Sequence, residues 1–242
     1  MGRLRDLRLT FPTNLADNAD YPHVEYVIVD YNSNDGLGAW VRDNYIDMIH
    51  AGSLVYVRTD EPKFFQMTHS RNIGFKIASG DIIVNVDADN YAQNEPPAGE
   101  RRIGFAEKIN ALAQGYTGRV IFAPCRTRLR GRIGLFKRDF IEELGGYDED
   151  LKGYGADDRS LFERARAIGY MSIYFGTHYV VRIHTRKSEK MEHMEMLSHL
   201  KNEKLNNDIL RAKMDRKEYK ANVGRPWGAA RIVRNFTHEL QI

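Results

Sequence analysis

The segment Asp81–Asp87 is an almost continuous apolar run that leads directly into an acidic Asp87-Ala-Asp89 turn. A run of this kind, preceded by Gly80, predicts a buried strand. Shorter apolar runs alternate along the chain with segments whose apolar residues recur at helical spacing. Because strands that alternate with helices are typical of α/β folds, the sequence predicts an α/β domain with a mixed, mostly parallel sheet flanked by helices.

Helical spacing predicts helices over residues 3–15, 37–49, 69–78, 103–114 and 159–168. Strands are predicted over residues 25–30, 54–58, 81–87, 119–123, 133–136, 171–175 and 179–183. The segment from 187 to about 220 is rich in Met, Lys and Glu and predicts one or two polar helices. We therefore predict one domain over residues 1–186 and a polar helical extension over residues 187–242. Three roles are open for the extension: a lid over a bound nucleotide, a contact with another chain, or a peripheral contact with an anionic membrane.

Composition limits the classes of partner. The net charge is only +3, from 36 basic and 33 acidic residues, so no strong field favours a nucleic-acid partner. A lone cysteine, Cys125, precludes an internal disulfide and fits a reducing compartment. The sequence has no signal-peptide pattern and no apolar stretch of membrane-spanning length. We therefore expect a cytoplasmic protein, with peripheral membrane association left open.

The two carboxylates of the acidic turn, Asp87 and Asp89, are candidate metal ligands. They lie two residues apart where a strand gives way to a loop, so both can face one cation. Their hard oxygen atoms suit Mg²⁺ or Mn²⁺, which can bridge to substrate phosphates. The competing interpretation is an ordinary turn, because Asp is common wherever strands end. The motif alone does not decide between these interpretations.

Polar side chains near two other predicted elements are candidate nucleotide contacts. Asp30 and Ser33 follow the strand at 25–30, where loops of α/β sheets converge on ligands. The same residues also suit helix capping, which is compatible with binding. Arg71 and Asn72 lie early in the predicted helix at 69–78 and can reach the same sheet edge. For Arg71 the alternative is a solvated surface charge.

A glycine-rich loop leads to adjacent carboxylates, Asp157 and Asp158, near the start of a predicted helix. Acidic residues are favoured there by the helix dipole, so simple capping is one interpretation. The aromatic residue Tyr154 between two glycines is not required by capping, and a carboxylate beside an electrophile can act as general base.

His184 follows a late strand. A lone histidine is more often structural than metal-binding, although its position opposite the carboxylates favours a third ligand.

Taken in order, these segments resemble the inverting GT-A glycosyltransferases. The resemblance is to family-2-like members, and particularly to a β-1,4-galactosyltransferase-like or chondroitin-polymerase-like branch. It covers roughly residues 3–186, and the ordered combination is more specific than any one motif. In galactosyltransferases a tryptophan-glycine-glycine-acid-acid loop supplies acceptor contacts and the base. The corresponding residues here are Tyr154, Gly155, Ala156, Asp157 and Asp158.

The resemblance implies a single displacement with inversion, a UDP-sugar donor, a glycan or glycoconjugate acceptor and a manganese or magnesium ion. It implies Asp158 as the base and Asp157 as a sugar contact. It implies Asp89 and His184 as metal ligands, with Asp87 close to both ribose and metal. The residues expected to contact the nucleotide-sugar are Asp30, Ser33, Arg71, Asn72, Asp87 and Tyr154. Ala156 and Asp157 replace a glycine and a glutamate of that loop, so selectivity for donor and acceptor is expected to differ.

The resemblance also implies a first apolar strand, central in the sheet, which this chain lacks before the helix at 3–15. We expect the chain to fold less stably and bind nucleotide more weakly than a version that carries this strand.

Other functions stay open. A catalytically silent relative would bind nucleotide or glycan without turnover. A nucleotidylyltransferase would also use a cation, but it usually begins with a glycine-rich basic loop that is missing here. Nucleic-acid binding through the basic run Arg126–Arg132 and the basic tail is disfavoured because no aromatic residues interleave with that run. That run is more consistent with a phosphate- or acceptor-facing loop or a solvated face.

Overall fold

The fold is taken from a computed structural model, which describes residues 1–92, 102–127, 129, 131–179, 181–184, 189, 191–195 and 198–242. Within these residues, the helices with two defined ends are α1 (Leu4–Asp17), α2 (Leu37–His50), α3 (Met67–Ile77), α4 (Phe105–Ala113), α5 (Lys137–Glu142), α6 (Asp157–Ala167) and α7 (His199–Asp215), with a 3-10 turn at Thr177–Tyr179. The strands are β1 (Tyr26–Tyr31), β2 (Leu54–Thr59), β3 (Ile82–Val84), β4 (Asn90–Tyr91), β5 (Val120–Ala123), β6 (Gly134–Phe136), β7 (Met171–Tyr174), β8 (Val181–Arg182), β9 (Arg231–Arg234) and β10 (His238–Gln241).

The described strands form three sheets, in the orders β1-β2-β9-β10, β3-β6-β5-β7 and β4-β8. This arrangement confirms an α/β fold with mixed sheets flanked by helices. The prediction of a mostly parallel sheet needs correction. Among the described strand pairs, only β1–β2 and β5–β7 are parallel, and the other five are antiparallel. Strand β6 is short and lies antiparallel between β3 and β5, and β9 and β10 form a hairpin. Antiparallel neighbours do not need the helical crossover that joins parallel strands.

The edge strands β1 and β3 lie on two sides of a cavity without pairing to each other. At their amino ends, the Ser79 backbone N–H donates to Glu25 Oε2 over 2.7 Å. At their carboxyl ends, the Gly2 backbone N–H donates to Ser33 Oγ over 3.2 Å, and Arg3 forms an ion pair with Asp89. Both strands therefore run toward the same end of the cavity.

The cavity between these two strands has a volume of about 1920 Å³. Apolar side chains of both strands line it, including Val27, Val29, Ile82 and Val84, and all four are only half-buried. Within the described part of the chain, no strand occupies this space. The loops at the carboxyl end of the same cavity carry most of the candidate functional residues.

The C-terminal extension is not only helical. After α7, strand β9 pairs antiparallel with β2 through Val57–Arg234 and Arg58–Val233, and Ile232 is fully buried. The helical prediction missed this hairpin because its turn uses Asn235 and Phe236 in left-handed conformations, with φ of 52° and 69°. The extension thus adds strands to the sheet of the first domain. No helix in the described parts of the chain is long and apolar enough to cross a membrane.

Candidate active site

Arg71 is the centre of a buried charge cluster at the carboxyl end of the cavity. It lies in the first turns of α3 and is only 8% exposed. Its Nη1 donates to Asp158 Oδ1 over 2.8 Å and forms a short contact with Asp157 Oδ2. Its Nη2 donates to Asp87 Oδ1 over 2.9 Å. One guanidinium therefore connects the acidic turn after β3 with the start of α6, a connection that the sequence did not indicate. The alternative of a solvated surface charge is wrong for Arg71.

Asp158 faces the cavity from the first turn of α6. Its Oδ2 accepts a hydrogen bond of 2.7 Å from the Gly131 backbone N–H. Burial raises the pKa of Asp158 to about 7; Asp157 and Asp87 act in the same direction, whereas Arg71 and the Gly131 N–H oppose the rise. A carboxyl group with a pKa near neutrality can accept and release a proton at working pH.

Asp87 behaves differently although it belongs to the same cluster. Burial alone would raise its pKa, but Arg71 and a hydrogen bond from Asn85 outweigh burial and hold the pKa of Asp87 below its usual range. Two carboxyl groups on one cation thus have pKa values pushed apart. Such a separation is the usual basis for dividing a binding role from an acid–base role.

The backbone of Gly131 lies close to the carboxylates of both Asp87 and Asp158. Its φ is +67°, and a Cβ there would collide with the carboxylate of Asp87. Its carbonyl accepts from Asn85 Nδ2 over 2.7 Å, while its N–H binds Asp158. No side chain larger than hydrogen fits this position without moving Asp87.

The predicted metal ligands are only partly brought together. Asp87 and Asp89 line the cavity, and Asp89 pairs with Arg3 over 3.1 Å. His184 is exposed and is not among the described residues that line the cavity. Across the described residues, no group of three or more His, Cys, Asp or Glu side chains is arranged to hold a metal ion. The metal ligands therefore stay a prediction.

Two predicted nucleotide contacts are fully buried and have partners within the protein. Asp30 accepts from the Ser33 N–H, the Tyr56 hydroxyl and Arg58 at 2.9, 2.5 and 2.8 Å. Asn72 exchanges hydrogen bonds with the backbone of Tyr147. Neither residue is among those lining the cavity.

By contrast, Ser33 and Tyr154 line the cavity together with Asp157. Ser33 is 5% exposed and Tyr154 is half-buried. Both residues therefore lie on the cavity wall.

Arg132 is a buried cation whose environment the sequence did not reveal. It is fully buried, and its Nε and Nη1 have no hydrogen-bond partner within the described residues. Burial lowers the pKa of Arg132 to about 10, whereas Asp87, Asp89 and Asp158 act to raise it. Arg132 thus adds positive charge behind the acidic cluster. Of the three other arginines of this run, Arg128 and Arg130 lie outside the described residues.

Residues 9–143, more than half of the chain, match the family described as Glycosyl transferase family 2. A comparison with curated proteins gave no match. The matched segment includes Arg71, Asp87 and Asp89, and it ends before the loop that carries Asp157 and Asp158.

Proposed function

Because this chain belongs to glycosyl transferase family 2 and is a glycosyltransferase, we propose that it is a metal-dependent inverting enzyme using a UDP-sugar. In this proposal it moves a hexose or N-acetylhexosamine from the donor to a hydroxyl of a glycan or glycoconjugate acceptor. The main support for this proposal is Asp158, a carboxyl group that faces the cavity and has a pKa of about 7. The adjacent Asp157 forms an ion pair with the same arginine, Arg71.

In the proposed reaction, Asp158 accepts the proton of the acceptor hydroxyl as that oxygen attacks the anomeric carbon. The bond from the anomeric carbon to the diphosphate oxygen breaks on the opposite face, which inverts the configuration. Ser33 and Tyr154 offer polar contacts to the donor from the cavity wall. Arg71 fixes the relative positions of Asp87, Asp157 and Asp158, so that donor-binding and proton-accepting groups are oriented before substrate arrives.

The residues present suit a divalent cation bound together with substrate. Magnesium-type sites commonly use one or two carboxylates plus substrate phosphates, rather than a complete protein cage. Asp87 and Asp89 line the cavity and supply such oxygens. A cation held there would stabilise negative charge on the departing diphosphate as a Lewis acid. To bind the cation, Asp87 would have to release Arg71 and Asp89 would have to release Arg3.

The proposal predicts a pH dependence that can be measured without knowing the acceptor. Since the base must be deprotonated and burial raises the pKa of Asp158 to about 7, hydrolysis should slow as pH falls through that value. The assay measures UDP released from UDP-glucose, UDP-galactose and their N-acetylhexosamine counterparts, with Mn²⁺ present, from pH 5 to 9.

The expected result is an acid limb for kcat/KM that disappears in Asp158→Asn. A rate that stays constant across the range, or an acid limb that persists in the variant, would contradict the assignment of Asp158. No release of UDP from any of the four donors would contradict the proposed donor class.

A further inference from the structure

The loop before α6 holds an unusual backbone conformation. Gly153, Gly155 and Ala156 have positive φ values of 67°, 99° and 64°. For alanine the left-handed region is unfavourable because its Cβ approaches the following carbonyl oxygen, so its surroundings must hold it there. Ala156 immediately precedes Asp157 and Asp158 and accepts the first α6 hydrogen bond, from the Ser160 N–H over 2.7 Å. The conformation of this loop therefore sets where both carboxylates point.

The side chain of Asn206, in α7, binds the backbone of this loop. Its side chain is buried, with the residue 1% exposed. Its Nδ2 lies 2.9 Å from the carbonyl oxygen of Lys152, 3.1 Å from that of Tyr154 and 2.9 Å from that of Gly155. Three carbonyl groups of one short loop thus converge on a single amide nitrogen. These carbonyl groups are partly buried, and leaving them without such a donor would be unfavourable.

The neighbouring turns of α7 also fit the loop. A Cβ at Gly153 would lie 2.8 Å from Asn202 Oδ1, which is tighter than ordinary contact. The Tyr154 ring lies 4.4 Å from the His199 ring, centroid to centroid. His199, Asn202 and Asn206 are separated by three and four residues, so they share one face of the helix. That face is the side of α7 toward the loop.

We propose that α7 is a buttress for the acidic loop and that Asn206 is a positioning residue for Asp158. This inference rests on the proposed function, because Asp158 is the base in that function. It gives the C-terminal extension a role in turnover, although α7 lies beyond the segment that matches the family. Asn206 does not line the cavity, so it acts through the loop and not on substrate.

The test compares Asn206→Ala and Asn206→Asp with the control Asp208→Ala. Alanine removes the donor, and aspartate keeps the size but turns a carboxylate toward three carbonyl oxygens. Asp208 is an exposed residue of the same helix. Three quantities are measured: kcat for UDP-sugar hydrolysis, UDP affinity with Mn²⁺, and hydrogen exchange of the amides of residues 152–158.

We expect kcat to fall by about tenfold or more in both Asn206 variants because the base is misplaced. UDP affinity should fall by a much smaller factor, because Tyr154 is the one residue of this loop among the proposed nucleotide contacts. Exchange in residues 152–158 should accelerate relative to the rest of the chain, and Asp208→Ala should match the wild type. A residue that only stabilised the fold would lower the yield of folded protein without this split between kcat and affinity.

Unchanged kcat together with unchanged loop exchange in Asn206→Ala would overturn the inference. A loss of UDP affinity as large as the loss of kcat would also overturn it, since the variant would then act through nucleotide binding and not through the base. If the wild type binds UDP but hydrolyses none of the four donors, the proposed function fails. The exchange data alone would then decide whether Asn206 holds the loop.

Discussion

Asp158→Asn is expected to lower kcat for sugar transfer or donor hydrolysis by about 10²–10⁴-fold, the usual contribution of general base catalysis. UDP affinity should stay near the wild-type value, because Asp158 accepts a proton and does not bind the nucleotide. Asp43→Asn, which removes an exposed carboxylate on α2, is the matched control and should leave kcat unchanged. A kcat for Asp158→Asn within about threefold of wild type would contradict the assignment of the base.

The same variant should not lose stability at pH 8. The pKa of Asp158 is raised in the folded state, so the folded protein binds a proton that the unfolded chain releases, and stability falls as pH rises from about 4 to about 7. Above that window the ionised carboxyl group opposes folding, and asparagine removes that charge. A melting temperature equal to or above wild type at pH 8 is the expected result. Arg71 retains Asp87 and Asp157 as partners in this variant.

Arg71→Met is the second substitution for which we expect a large effect, and its main effect should be a loss of stability. It leaves Asp87, Asp157 and Asp158 close together without their shared cation. Removing one partner of a buried ion pair typically costs about 3–5 kcal/mol, so the free energy of unfolding should fall by that order at pH 8. The loss should be smaller at pH 5, where Asp158 is protonated and one negative charge is gone. Urea unfolding at both pH values measures the difference.

The control for this prediction is Arg8→Met, which removes an exposed arginine of α1 and should change the unfolding free energy by less than about 0.5 kcal/mol. Arg71→Lys keeps one charge but lacks the planar fork that reaches several carboxylates, and should give an intermediate loss. Equal unfolding free energies for wild type and Arg71→Met would show that the cluster does not depend on its arginine.

Much of the fold was predictable from periodicity, because buried strands and amphipathic helices are local patterns. The strand predicted at 25–30 is β1 (Tyr26–Tyr31), and the helix predicted at 37–49 is α2 (Leu37–His50). The strand predicted at 81–87 is shorter, ending at Val84, since Asn85 and Asp87 turn their side chains to Gly131 and Arg71 instead. Residue-level boundaries depend on such tertiary contacts, which one sequence does not reveal.

The site was predictable in composition but not in its connections. Sequence order indicated the acidic turn and the acidic loop, and these do lie together around Arg71. Sequence could not show that Asp30 and Asn72 are occupied by internal partners, because Tyr56, Arg58 and Tyr147 belong to distant segments. Arg132 was one arginine within a basic run, and only its burial beside three carboxylates distinguishes it. The role of Asn206 depends on α7 packing against a loop about 50 residues away in sequence.

Titration calorimetry of UDP into the purified chain, with and without Mn²⁺ and repeated on Asp89→Ala, tests whether the acidic turn forms a metal-dependent nucleotide site. We expect binding that requires the metal and is lost in Asp89→Ala, whereas Asp43→Asn should bind UDP as the wild type does. UDP binding of equal affinity with and without Mn²⁺, or binding unaffected by Asp89→Ala, would contradict a nucleotide-sugar site built on the acidic turn.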